Sequence, residues 1–157
     1  MASFSSRLPP DDGTRRRVAP PTAIENGVPE TSFLRVFLVE DSASVRERLT
    51  DFLSEVGEVE MTGFAETEAD AVRELLAHPV DVAIVDLNLK EGSGIGVIES
   101  IRARHTSAPP TIIVLTNYAF PEFESACLKR GADYFFDKST QFGALRSVLE
   151  SMRRGAH

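Results

Sequence analysis

Leu34-Arg35-Val36-Phe37-Leu38-Val39-Glu40-Asp41-Ser42 is the stretch on which the reading of this chain turns. Its first six residues are mostly apolar β-formers, in a run too short for a helix. Glu40 and Asp41 end the run and Ser42 reads as an N-cap. Val45, Leu49, Phe52, Leu53 and Val56 follow at helical spacing as far as Gly57. A strand therefore feeds into an amphipathic helix, with two acids at the joint.

The same unit recurs downstream. A second strand is expected near Val59–Phe64. Thr67 caps a helix with Ala71, Val72, Leu75 and Leu76 on one face, ending near His78-Pro79. A third strand, Val80–Val85, closes on Asp86. After a Gly-rich loop, a helix carries Ile95, Ile98 and Ile101. Pro109-Pro110 breaks the chain before a fourth strand at Thr111–Leu115. A helix near Pro121–Arg130 stops at Gly131, Tyr134-Phe135-Phe136 is the fifth strand, and Phe142, Leu145, Val148, Leu149 and Met152 mark the last helix. Five strand–helix alternations argue for a parallel sheet covered by helices on both faces, because parallel neighbours need crossovers. The near-continuous apolar strands agree.

Residues 1–33 read differently. Pro9, Pro10, Pro20, Pro21 and Pro29 are spread among Ser, Gly and Arg with no apolar periodicity, which predicts a disordered tail before a domain at 34–157. The tail's four Arg and four acids cancel, so the net charge of −7 lies in the domain. Such an acidic domain is a poor partner for nucleic acid, whose affinity comes from Lys and Arg on phosphates. The Arg15–Arg17 triplet reads as a solvated charge run. Thr14-Arg15-Arg16-Arg17 lacks the apolar run a twin-arginine leader needs. No apolar run approaches the roughly 20 residues that span a bilayer. Cys127 is the single cysteine, so no internal disulfide forms. Cytoplasm is the expected location.

In open α/β sheets, ligands bind beyond the carboxyl ends of the strands. There the sequence places Glu40-Asp41, Asp86, Thr116 and Asp137-Lys138. Gathered carboxylates repel: two unit charges about 4 Å apart cost roughly 4 kcal/mol at an effective dielectric of 20. Such a group calls for a cation, and all-oxygen ligation suits Mg²⁺. A metal-screened carboxylate can attack phosphorus, and the phosphoryl oxygens then need donors such as Lys138 and Thr116. Several single features have plainer readings. Glu40-Asp41 alone is also a helix-start pair, and Gly92-x-Gly94-x-Gly96 fails the dinucleotide spacing and reads as a flexible turn. Cys127 reads as an inert helix residue, and His78 and His105 as helix-end caps.

Val39-Glu40-Asp41-Ser42, Ile84-Val85-Asp86-Leu87-Asn88-Leu89, Val114-Leu115-Thr116-Asn117 and Gly131-Ala132-Asp133-Tyr134-Phe135-Phe136-Asp137-Lys138 together resemble the motifs of response-regulator receiver domains, the signal acceptors of two-component phosphorelays. The resemblance runs from about Leu34 to Arg154. It implies the flavodoxin-like (βα)5 three-layer sandwich with sheet order 2-1-3-4-5. It implies Asp86 as phospho-acceptor, and Mg²⁺ held by Glu40, Asp41, Asp86 and the Asn88 backbone carbonyl, with Asp41 the direct ligand. Thr116 and Lys138 match the phosphate-sensing hydroxyl and ammonium, and Phe135 the aromatic that turns inward on activation. Tyr118 is expected to overhang the phosphate and slow its loss.

The implied partners are a histidine kinase or histidine phosphotransfer protein, and a downstream target or second copy at the face of helix 4, strand 5 and helix 5. Four departures stand out: Glu40 where Asp is commoner, Lys90 and Ser139 where Pro is usual, and Phe135 in place of Tyr. Ser139 puts a cis bond after Lys138 in question. A pseudo-receiver would have lost the acceptor or the Lys, and both are present. An aspartate-nucleophile phosphatase wants a second acid where Asn88 stands. A flavodoxin-like redox protein would need a chromophore to support it. Because the chain ends at His157, shortly after the last helix, a stand-alone receiver or relay shuttle is expected.

Overall fold

The structure, a computed structural model, describes residues 33–104 and 107–155. The expectations for the tail and for His105 lie outside the described residues. Ten elements alternate: β1 (Leu34–Val39), α1 (Ala43–Val56), β2 (Val59–Ala65), α2 (Glu68–Ala77), β3 (Val82–Val85), α3 (Gly94–Ala103), β4 (Thr111–Thr116), α4 (Pro121–Lys129), β5 (Tyr134–Asp137) and α5 (Phe142–Gly155). All strand pairs are parallel, in the order β2-β1-β3-β4-β5. This is the expected flavodoxin-like order.

The strands alternate between two cores because successive side chains point to opposite faces. Phe37, Val39, Ala83, Val85, Ile112, Val114 and Phe135 face one way, onto Ala71 and Leu75 of α2, Val97, Ile98 and Ile101 of α3, and Cys127 of α4. Leu34, Val36, Leu38, Val82, Ile84, Ile113 and Leu115 face the other, onto Leu49, Leu53 and Val56 of α1 and Leu145 and Leu149 of α5. Each such aliphatic residue, fully buried, contributes about 1.5–3 kcal/mol relative to exposure. Both faces being covered explains why β1, β3 and β4 read as apolar runs, whereas the edge strand β2 alternates.

Local signals start the helices where the sequence places them. The Ser42 side chain accepts from Val45 N, Thr67 from Asp70 N, and Ser93 from Gly96 N. Pro121 occupies the first turn of α4. His78 closes α2, its N–H donating to the Glu74 carbonyl, as a capping residue should. One boundary differs: β3 begins at Val82, not Val80. Asp81 is instead the bridge at the sheet's lower edge, its carboxylate accepting from Arg35 N at 2.8 Å and its carbonyl from Thr111 N at 2.9 Å. No peptide bond among the described residues is cis, and Lys138–Ser139 is trans.

Candidate functional site

The sheet order brings the ends of β1, β3, β4 and β5 side by side. Asp86 N donates to the Val39 carbonyl at 2.9 Å, and Lys138 N to the Thr116 carbonyl at 2.8 Å. Glu40, Asp41 and Asp86 then gather, with a carboxylate oxygen of each within 4.8 Å of the others. Lys138 reaches them from the end of β5, two strands away from β3. Its Nζ lies 2.8 Å from Glu40 Oε1 and 3.0 Å from Asp86 Oδ2. These four side chains come from segments separated by as much as 98 positions in sequence.

The remaining oxygens are held by backbone. Glu40 Oε2 accepts from Ser42 N at 3.1 Å, and Asp86 Oδ1 from Leu87 N at 2.7 Å. Glu40, Asp86 and Lys138 are buried. Burial holds the Glu40 carboxyl above the usual carboxylate range despite the neighbouring ammonium. Burial opposes the charge of Lys138, but its bonds to Glu40 and Asp86 more than offset this and raise its pKa. Asp41 is partly exposed and, among the described residues, makes no ion pair or side-chain hydrogen bond. Among the described residues no donor competes for its carboxylate oxygens, whereas both Glu40 oxygens are already engaged. The donor set is hard oxygen throughout, the chemistry of a small divalent cation.

Other expected residues fall around this centre. Thr116 is fully buried, and its Oγ1 accepts from Tyr118 N at 3.1 Å. Asn88 is exposed, on a loop bridged to Ser93. Tyr118 is exposed and lines an apolar cavity of about 340 Å³ with Leu87, Asn88, Ile95 and Phe123, beside the loop that follows Asp86.

At two places the structure gives a side-chain arrangement the sequence did not. Phe135 does not wait outside: it is 9% exposed and packed in the core that includes Val114, Cys127 and Ala132. In this structure the ring already faces inward from β5. The Gly92–Gly96 segment is not a loose turn. A Cβ on Gly94 would lie 2.2 Å from the Asp86 carbonyl oxygen, and one on Gly92 or Gly96 would meet the Glu68 side chain. Gly92 also has φ +80°. The glycines let this loop close over the acceptor's backbone and around the Glu68 carboxylate, which accepts from Ser93 N at 3.0 Å. Cys127 is fully buried and burial pushes its thiol pKa up, in keeping with an inert residue.

Sequence reasoning missed Glu68, as well as Arg46 and Glu66 beside the site. The alternating glycines were the available signal for Glu68, since close approach is what glycine permits. Nothing in the sequence pairs Glu66 with residues 20 and more positions away.

The fold and this cluster of strand-end acids and lysine define a class, and comparison with known proteins bears on it. The model of the response regulator receiver domain family matches residues 36–150. The chain belongs to the response regulator receiver domain family. It is 29% identical over 121 residues to the response regulator protein PilR of Pseudomonas aeruginosa, covering 76% of this chain and 26% of PilR. It is 33% identical over 115 residues to a cyclic di-GMP phosphodiesterase of Thermotoga maritima, covering 72% of this chain and 29% of that protein. The chain thus spans under a third of these relatives, and what is matched is a receiver domain. Among solved structures, the receiver domain of the response regulator NarL from Mycobacterium tuberculosis superimposes with TM-score 0.70 at 24% identity, covering 79% of this chain and 98% of that one. The response regulator domain of Thermotoga maritima CheB gives 0.65 at 25%, covering 79% and 96%.

Proposed function

We propose that this protein is a phosphorylatable switch in which Asp86 accepts a phosphoryl group from a histidine kinase or histidine phosphotransfer protein, with Mg²⁺ held by Asp41, Asp86, the Asn88 carbonyl and, through its engaged carboxylate, Glu40. The observation that carries this reading is the Lys138 ammonium seated on both Glu40 and Asp86, next to an Asp41 with open oxygens. A pseudo-receiver has no need to retain such a costly buried set.

The Asp86 carboxylate forms the new O–P bond while the P–N bond to the donor imidazole breaks, and the imidazole nitrogen keeps that electron pair. When bound, Mg²⁺ supplies positive charge to the carboxylates and the transferring phosphoryl oxygens. Lys138 is already within hydrogen-bond reach of Asp86 and exchanges its carboxylate partner for a phosphoryl oxygen. Thr116 donates its hydroxyl to a phosphoryl oxygen; in this structure its Oγ1 accepts from Tyr118 N. Tyr118, exposed beside the loop after the acceptor, screens the phosphate from water.

The chain's own chemistry ends with this transfer and the later loss of the phosphate, and the output is a contact. Tyr118, Phe120, Phe123, Leu128 and Tyr134 are exposed on or near α4 and β5, a surface suited to a protein target or second copy. Nucleic acid and membrane are not the proposed partners. We assign the switch to residues 34–157 with 1–33 as an appended tail, in the cytoplasm, where the lone thiol of Cys127 suits a reducing compartment. Among the described residues no helix is long and apolar enough to cross a membrane.

Acetyl phosphate with Mg²⁺ should label Asp86, read by intact mass and by retarded mobility on a phosphate-affinity gel. Persistent labelling of Asp86→Ala would refute the assignment. An unlabelled wild-type protein would leave an interaction module.

A further inference from the structure

The β2–α2 connection carries a chain of charges that the acceptor chemistry does not use. Arg46, in the first turn of α1, donates from Nη1 to the Glu40 carbonyl at 2.8 Å and pairs with Glu66 Oε2 at 3.0 Å. The other Glu66 oxygen, Oε1, takes the Lys90 ammonium at 2.9 Å. Glu66 and Lys90 are also joined through backbone, Lys90 N donating to the Glu66 carbonyl at 3.2 Å. One carboxylate thus holds a cation on either side, from the end of β1 to the loop that follows Asp86.

The Lys90 side chain is 61% exposed, so the pair adds little to stability. Its effect on the potential of the site is another matter. Glu66 follows Ala65, whose carbonyl accepts from Glu40 N at 2.9 Å, and Arg46 ties the Glu66 carboxylate to the Glu40 backbone, so the Lys90 ammonium is held at the edge of the acidic site. Among the described residues, the ammonium pairs with Glu66 and makes no ion pair with the site carboxylates.

We propose that Lys90, positioned by Glu66, sets the charge balance at the mouth of the acidic site, weakening capture of a free divalent cation and favouring approach of an anionic phosphoryl donor. The inference rests on the reading of Asp86 as acceptor. A cation tethered at the edge of an acidic site repels a second cation and attracts an anion, within a screening length of about 8 Å at physiological salt. The two effects have opposite signs, and a side chain that merely supports the loop would not produce them together.

The test uses the full chain as wild type, Lys90→Gln and Lys90→Arg, with thermal melts to show that each is folded. Mg²⁺ titrations followed by amide NMR shifts, without donor, give the cation affinity. Initial rates of acetyl phosphate labelling at saturating Mg²⁺, read by intact mass, give the donor dependence. Lys90→Gln is expected to bind Mg²⁺ about three- to tenfold more tightly, the effect of one unit charge on a divalent ion across a short aqueous gap. It is also expected to need severalfold more acetyl phosphate for half-maximal rate, while Lys90→Arg keeps both values near wild type. Either value unchanged in Lys90→Gln, both moving in the same sense, or Lys90→Arg behaving like Lys90→Gln would overturn the proposal. A wild-type chain that binds no Mg²⁺ and takes no label would overturn the acceptor reading, and this inference with it.

Discussion

Replacing Lys138 by Met keeps the length of the side chain and removes its charge. Among the described residues, Lys138 Nζ is the one cation within 3.0 Å of both Glu40 and Asp86, and none of the three side chains is more than 9% exposed. Lys138→Met leaves two buried carboxylates facing each other without it. Removing one partner of a buried ion set costs about 3–5 kcal/mol. With about 120 residues in the folded domain and the usual unfolding entropy per residue, that is a Tm loss of roughly 12–20 °C at pH 7.

The pH dependence has a definite sign. Burial already raises the Glu40 carboxyl above 4.5, against the lowering by Lys138. Without Lys138 that rise increases. A carboxyl whose folded pKa is raised contributes stability that is present below its unfolded pKa and lost as pH rises through the folded one. The deficit of Lys138→Met is therefore expected to shrink on acidification from pH 7 towards 4.5. Circular-dichroism melts of both proteins, in chelator and across that range, measure it. Added Mg²⁺ should restore more Tm to the variant than to wild type, because it supplies the missing positive charge. A variant with wild-type Tm at pH 7, or a deficit that grows on acidification, would refute the reasoning.

Three further outcomes are expected. Gly94→Ala would bring a Cβ to 2.2 Å from the Asp86 carbonyl, so backbone must shift; a stability loss of about 1–3 kcal/mol and slower labelling of Asp86 should appear in denaturant titration and mass kinetics, and wild-type behaviour in both would contradict the close approach. Phe135→Ala should cost about 3–5 kcal/mol in urea unfolding, as for a packed core ring; a loss under 1 kcal/mol would mean that the ring spends its time outside. The Cys127 thiol, fully buried and with its pKa raised by burial, should react with a thiol reagent at pH 8 only as fast as the protein opens. Rapid labelling under native conditions would contradict its burial.

The order of strands and helices was legible because each carries a local signal. Ser42, Thr67 and Ser93 start helices, Gly57 ends one, and short stretches rich in β-formers, apolar in β1, β3 and β4 and alternating in β2, mark the strands. The residues of the candidate site were legible too, as polar interruptions at strand ends, and the motif resemblance assigned them expected roles. Side-chain state was not. Whether Phe135 lies in or out depends on the space beside Val114, Cys127 and Ala132, which come from β4, α4 and the turn before β5. Whether Gly92–Gly96 is loose or closed depends on Glu68, some 25 residues earlier. The placement of the Lys90 cation depends on Glu66 and Arg46, brought alongside by the β2-β1-β3 order. Periodicity and caps act within a few residues and are written in the chain. Ion pairs and close contacts form between segments that only the folded sheet brings together, and so tertiary structure decided them.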